Sequence, residues 1–158
     1  MNPALLTAVL ALTGMTGEAK APPKPKTEVQ LIERVLELTN REREREGLRP
    51  LKLQQNLSQA ADWLARSMAD RSYFDHTDHL GRSAAERAGE FGYLGWVALG
   101  ENLAAGRREA EEVVSVWMDS AKHRQNILNP SFTEIGIGFA HNSSSRYARY
   151  WVQTFGAR

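Results

Sequence analysis

The segment spanning residues 134–155 places the strongest constraint on the fold of this chain. In "EIGIGFA" two isoleucines and a phenylalanine alternate with two glycines and an alanine, and a two-residue period is that of a β-strand. A polar turn, "HNSSSR", and a second apolar run, "YARYWVQTF", follow, so the segment predicts a β-hairpin. The small residues on one face of the first strand indicate that a helix or another backbone packs close to the sheet there.

A first helix is predicted after Thr27, which is a suitable N-cap, with Gly47 as its stop. The residues expected on its apolar face are Val29, Ile32, Val35, Leu36 and Thr39. The end of this helix, "REREREG", places opposite charges three residues apart. That pattern favours a solvated helical surface over a nucleic-acid-binding patch.

Further helices and one more strand are expected downstream. A helix opened by a capping box at Asn56 repeats leucine, alanine and methionine at helical spacing. "SAAE" is a second capping box and predicts a short helix that ends near Gly92, and another helix covers about Glu109 to Met118. The stretch "ALGENLA", residues 98–104, is short enough to be a third strand and carries Glu101.

The N-terminal residues differ in composition from the rest and predict export. "ALLTAVLAL" has the length of a signal-peptide apolar region and is too short to span a bilayer, whereas "KAPPKPK" favours an extended, solvated linker. We therefore expect a signal peptide over residues 1–19, a linker over 20–27 and one domain over 28–158, secreted or held in the cell envelope without a transmembrane anchor. The chain has no cysteine, so stability must come from packing, which favours a bacterial product.

The overall charge gives little reason to expect a polyanionic partner. The formal net charge is +1 over 158 residues, and 42% of the residues are hydrophobic. This balance is typical of one globular domain with a real core, and it calls for neither nucleic acid nor an anionic membrane.

Four histidines are candidates for chemistry. His76 and His79 are three residues apart and would share a face if they lay on a helix, but a single H-x-x-H is a weak metal signal. His141 lies in a polar turn and is expected to be solvated. His123 would occupy the third position of a short helix capped by Ser120, where the helix dipole disfavours the imidazolium and keeps the ring neutral.

Glu101 lies in a stretch of mostly small and apolar residues. A carboxylate in such a strand needs a partner or its pKa rises, and a nearby histidine would supply that partner.

The order of five motifs identifies a family. "FDH", "GENLA", "WMDSAKHRQNIL", "FTEIGIGFA" and "YWVQTFG" resemble the motifs of bacterial secreted members of the CAP superfamily, the cysteine-rich secretory, antigen 5 and pathogenesis-related proteins, also called SCP-like extracellular domains. The resemblance covers about residues 31–156. It implies an α+β fold, an α-β-α sandwich with a central antiparallel sheet of three or four strands between helical layers.

The resemblance also implies a cleft in which two histidines and two glutamates hold a divalent cation, often zinc. His76, Glu101 and His123 match three of these four residues, and Ser120 stands where larger eukaryotic members have the second glutamate. We expect His76 and His123 to bind any zinc weakly, with Glu101 and Ser120 in supporting positions, because a carboxylate is missing. Arg124 and Asn126 fit the bacterial pattern and are expected to be structural, Arg124 by pairing with an acidic neighbour and Asn126 by satisfying loop carbonyls.

Two functions of different classes are compatible with these residues. We favour a non-catalytic, monomeric binding module whose cleft accepts a cation and a small apolar or cell-envelope ligand. The alternative is a peptidase or esterase that uses His123 or His76 with Glu101, and Ser120 as nucleophile. No G-x-S-x-G, H-E-x-x-H or phosphate-loop signature occurs, and a serine that caps a helix already accepts from backbone N–H groups, which makes it a poor nucleophile.

Overall fold

A computed structural model of the chain describes residues 26–158, so the expected signal peptide and most of the linker lie outside the described residues. The elements in this part of the chain are α1 (Glu28–Arg45), β1 (Lys52–Leu53), α2 (Gln55–Arg71), α3 (Ala84–Glu90), β2 (Ala98–Ala105), α4 (Ala110–Asp119), α5 (Ala121–Ile127), β3 (Glu134–His141) and β4 (Arg149–Ala157). None of these helices is long and apolar enough to cross a membrane.

The four strands form one sheet in the order β1-β3-β4-β2. The predicted hairpin of β3 and β4 is confirmed, and β2 runs antiparallel along the other side of β4, with Glu101 opposite Thr154. The two-residue strand β1 pairs in parallel with β3, so the sheet is mixed, and antiparallel through its three long strands. A strand of two residues has no measurable periodicity, which is why the sequence did not indicate it.

Helices cover both faces of the sheet and confirm the α-β-α sandwich. On one face α2 packs its predicted stripe, which is buried, against the small residues of β3. A Cβ atom added at Gly136 would overlap the backbone of Leu57, and one added at Gly138 would overlap the backbone of Ala61. The close approach expected from the alternating glycines is therefore confirmed. On the other face α1, α4 and α5 enclose the larger core with the isoleucines of β3.

Helix α1 begins as predicted but is oriented differently. Thr27 and Gln30 form a reciprocal capping box, yet the buried side chains are those of Leu31, Val35, Thr39 and Arg43, and Val29 is 64% exposed. The apolar face predicted from Val29 was wrong at that residue, because the helix packs along a stripe of residues spaced four apart.

Arg43 is the largest departure from the expected solvated end of α1. Its side chain is 1% exposed and donates hydrogen bonds to the carbonyls of Arg49, Ile127, Asn129 and Phe132 at 2.7–3.1 Å. Burial lowers the pKa of the guanidinium. These carbonyls belong to the end of α5 and to the loops before β1 and β3. One side chain therefore joins a helix end and two loops.

Replacing Gly138 with alanine should destabilise the domain by about 3 kcal/mol or more, because α2 would have to move off the sheet. The matched control is Gly89→Ala in α3, where an added Cβ meets nothing within 4 Å and stability should be unchanged or slightly higher. Chemical denaturation measures both free energies of unfolding. Equal stabilities for the two variants would contradict the close packing.

Arg43→Met should cost about 3 kcal/mol, because several buried carbonyls lose their donor. Arg45→Met is the control in the same helix, since the Arg45 side chain is 69% exposed and its change should cost less than about 0.5 kcal/mol. Arg43→Lys should rescue only in part, because an ammonium cannot reproduce the planar fork of donors. Full rescue by lysine in thermal unfolding would show that the fork geometry is unimportant.

Candidate functional site

The candidate site is built around β2, which is an edge strand of the sheet. Its carbonyls at Glu101 and Leu103 accept hydrogen bonds from the side chains of Asn126 at 3.2 Å and Trp117 at 3.0 Å. These contacts cover the strand edge and hold α4 and α5 beside it. Asn126 thus satisfies a strand carbonyl, where a loop carbonyl was expected.

Glu101 projects from β2 into a buried ion pair. Its Oε2 atom accepts a hydrogen bond from Nη2 of Arg87 at 2.6 Å, and its Oε1 atom lies 2.9 Å from Nδ1 of His76. The side chains of Glu101 and Arg87 are 4% and 1% exposed. The structure brings the expected histidine partner to Glu101. The sequence analysis did not identify Arg87. The signal that could have indicated it is that Arg87 is the one basic residue of the short helix "AAERAGE".

Arg87 also fixes the loop that carries His76. Its Nη1 atom donates to the carbonyls of His76 at 2.9 Å and Arg82 at 2.7 Å. Asp78, which is buried, accepts from the backbone N–H of Leu80 and from both the backbone and side chain of Arg82. The backbone and the ring of His76 are therefore both held in place before any ligand arrives.

His79 does not join His76. Both residues lie in the loop between α2 and α3, so they do not share a helix face. The Nδ1 atom of His79 lies 2.6 Å from the hydroxyl of Ser67, and its ring stacks on Trp63 with 5.2 Å between centroids. His79 therefore anchors the loop to α2. His141 is exposed, as expected.

His123 lies in the first turn of α5, after Ser120 as N-cap residue. Its pKa is lowered, first by burial and then by the positive charge of His76, so the expected neutral ring is favoured mainly by desolvation. The Nδ1 atom of His123 is buried and has no hydrogen-bond partner among residues 26–158.

Ser120 and Arg124 differ from expectation. The carbonyl of Ser120 accepts the backbone N–H of Arg124 at 2.8 Å, but its hydroxyl makes no capping hydrogen bond. The hydroxyl also does not bind Nδ1 of His123, which is unpartnered. Arg124 donates to the carbonyl of Met118 at 2.8 Å, where an acidic partner was expected. The first turn of α5 contains no acidic residue.

The donor set for a cation consists of two imidazoles. Within residues 26–158 no group of three or more His, Cys, Asp or Glu side chains is arranged to hold a metal ion, and both oxygens of Glu101 are engaged. A closed zinc site requires four ligands, and catalytic sites usually provide three from the protein. His76 and His123 fit only an open site that water or a bound ligand completes.

The pKa values of His76 and His123 should lie on opposite sides of 6.5, the ordinary value for histidine. The hydrogen bond to Glu101 raises the pKa of His76, so its stabilising contribution is complete below 6.5 and is lost as the pH rises through the raised value. The pKa of His123 is lowered. Its stabilising contribution is therefore complete above 6.5 and is lost as the pH falls below that value. Imidazole NMR titration measures both values, and Glu101→Gln should lower the pKa of His76. An unchanged His76 titration in that variant would contradict the role of Glu101.

A protein-family model matches most of this chain. The model of the cysteine-rich secretory protein family, or CAP family, matches residues 36–155. An uncharacterised protein of Bacillus subtilis, YkwD, is 42% identical over 122 residues, which cover 77% of this chain and 45% of that protein. An uncharacterised membrane protein of the same organism, YlbC, is 29% identical over 121 residues, 77% of this chain and 33% of the relative. The chain thus spans less than half the length of these curated relatives.

Solved structures show the same fold. An extracellular protein of Bacillus anthracis that contains an SCP domain has a TM-score of 0.71 and 26% identity, over 86% of this chain and 45% of that one. An outer surface protein of Borrelia burgdorferi has a TM-score of 0.72 and 21% identity, over 80% of this chain and 91% of that one. The family match spans most of the described residues and includes His76, Glu101 and His123. This chain belongs to the cysteine-rich secretory protein (CAP) family.

Proposed function

We propose that this chain is an extracellular, non-catalytic binding module whose cleft engages a ligand through His76 and His123. The buried, unpartnered Nδ1 atom of His123 carries the proposal. Buried polar atoms are nearly always hydrogen-bonded, and one that is left free calls for an explanation. A ligand or ion that reaches the cleft would provide the missing partner.

The geometry around His76 supports a weakly held divalent cation such as zinc. With Nδ1 on the carboxylate of Glu101, the Nε2 atom of His76 is left for a ligand, which is the usual arrangement of a metal-bound histidine and its supporting carboxylate. A bound cation would supply a Lewis-acidic centre with open positions for the oxygen atoms of a ligand. Two protein ligands make binding weak, and Ser120 contributes no charge.

An extracellular location is supported by the N-terminal sequence and by relatives. The run "ALLTAVLAL" resembles an export signal, and the similar proteins from B. anthracis and B. burgdorferi are described as extracellular and outer-surface proteins. The physiological ligand is proposed to be a small apolar or cell-envelope molecule that a monomer binds.

Hydrolysis receives less support than binding. A serine hydrolase needs its nucleophile within hydrogen-bond reach of the base, and the hydroxyl of Ser120 is not bonded to Nδ1 of His123. Glu101 is turned toward Arg87 and His76. Glu101 is therefore bound to other partners, and Nδ1 of His123 is bound to none, so the alternative triad is not formed. For this reason we favour the binding role.

Titration calorimetry with Zn²⁺ tests the proposal. The wild-type protein should give weak, saturable heat that disappears in the His76→Ala, His123→Ala double variant. His141→Ala is the matched control, because this histidine is exposed and lies in the β3–β4 hairpin. Ser120→Glu restores the missing carboxylate and should tighten binding about tenfold. Identical heats for the wild type and the double variant would remove the cation from the proposal.

A further inference from the structure

Large apolar side chains are exposed together at one end of the molecule. Leu94, Trp96 and Val97 lie within four consecutive residues and are 67%, 41% and 78% exposed. We call residues 94–97 the apolar loop. Single exposed apolar residues are ordinary on a protein surface, whereas a contiguous group marks a contact surface.

The backbone of the apolar loop is held firmly. Gly92 and Gly95 adopt positive φ angles of 81° and 69°, which glycine tolerates without strain. The carbonyl of Phe91 accepts a hydrogen bond from Asn56, and the N–H of Val97 donates to the carbonyl of Ala157 at 2.9 Å. The exposed side chains are thus presented by a fixed turn.

The strand registers place one more apolar residue at this end of the sheet. β2 begins at Ala98, opposite Ala157 at the end of β4, and β3 begins at Glu134, opposite Lys52 in β1. Leu53, the neighbour of Lys52, is 51% exposed. β1 and the apolar loop therefore belong to the same end of the molecule.

Positive charge lies at the same end of the molecule as the apolar loop. A hollow of about 710 Å³ at this end is lined by Arg49, Lys52 and Arg158 and by one acidic residue, Glu134. The carboxylate of Glu134 is already bound by Arg158 at 2.9 Å and by the hydroxyl of Tyr93 at 2.7 Å. Arg49 and Lys52 remain as exposed positive charges at this end of the sheet, at the edge formed by β1, whereas the apolar loop leads into β2 at the opposite edge.

We propose that this end of the domain docks onto the surface of an anionic phospholipid bilayer. The apolar loop and Leu53 would enter the interfacial region, where tryptophan is favoured, and Arg49 and Lys52 would face the anionic headgroups. Positive charge and apolar side chains at one end of a domain complement such a surface. This contact is separate from the proposed binding site at His76 and His123, whose supporting residue Glu101 lies inward along β2, and it does not depend on the proposed function of that site.

Vesicle flotation with the full chain tests this proposal. The wild type should bind vesicles of phosphatidylcholine with phosphatidylglycerol about tenfold better than vesicles of phosphatidylcholine alone. Leu94→Ser, Trp96→Ser, Val97→Ser should reduce binding about tenfold or more, whereas Val29→Ser, Leu80→Ser, at positions 64% and 62% exposed, should not. Arg49→Gln, Lys52→Gln should abolish the preference for the anionic lipid.

A site-specific probe makes the test independent of the stability of the triple variant. Because the chain has no cysteine, Val97→Cys can be labelled with one environment-sensitive dye, and Val29→Cys serves as the matched control. Anionic vesicles should shift the emission of the probe at position 97 to the blue and leave the probe at position 29 unchanged. Absence of vesicle binding, equal binding by the triple variant, or a shift caused by self-association without vesicles would overturn the proposal.

Discussion

The buried ion pair between Glu101 and Arg87 determines how the candidate site is arranged. Removing two charges from water is costly unless the remaining donors and acceptors are also satisfied. Arg87 satisfies its donors on the carbonyls of the loop that carries His76, and Glu101 directs its second oxygen at the ring of His76. Satisfying one pair of charges therefore also positions His76, a candidate site residue.

The same requirement, that buried polar groups be hydrogen-bonded, also holds the elements around His123. Arg43 joins the end of α5 to two loops through buried carbonyls, and Trp117 and Asn126 bind the carbonyls at the edge of β2. These contacts place His123 beside the strand that carries Glu101. In a chain without cysteine, such hydrogen bonds and the close packing of α2 against Gly136 and Gly138 perform the role that cross-links have in many exported domains.

Most expectations drawn from periodicity agreed with the structure, and those drawn from side-chain chemistry agreed less often. The hairpin, the buried stripe of α2, the N-cap at Thr27 and the capping box at Ser83 were all predicted. The capping box expected at Asn56 was wrong, because α2 begins at Gln55 and its N-cap is Gln54. Arg43 was expected to be solvated, because a run of alternating charges has the same pattern whether or not one member turns inward. Ser120 was expected to cap through its hydroxyl, and only the backbone does so. Arg87 was missed because its partner lies fourteen residues away.

Strand period, helix caps and glycine spacing are local properties, so the sequence by itself determined the hairpin, the helices and the close packing against β3. The layered sandwich and the set of His76, Glu101 and His123 followed from the resemblance of its motifs to a family. The partners of those residues are not local. The tertiary structure decided that Glu101 binds Arg87, that the Nδ1 atom of His123 is buried without a partner, and that Arg49 and Lys52 lie at the same end as an apolar loop. A net charge near zero conceals such a grouping, because electrostatic and hydrophobic contacts depend on distances in space that only the folded chain defines.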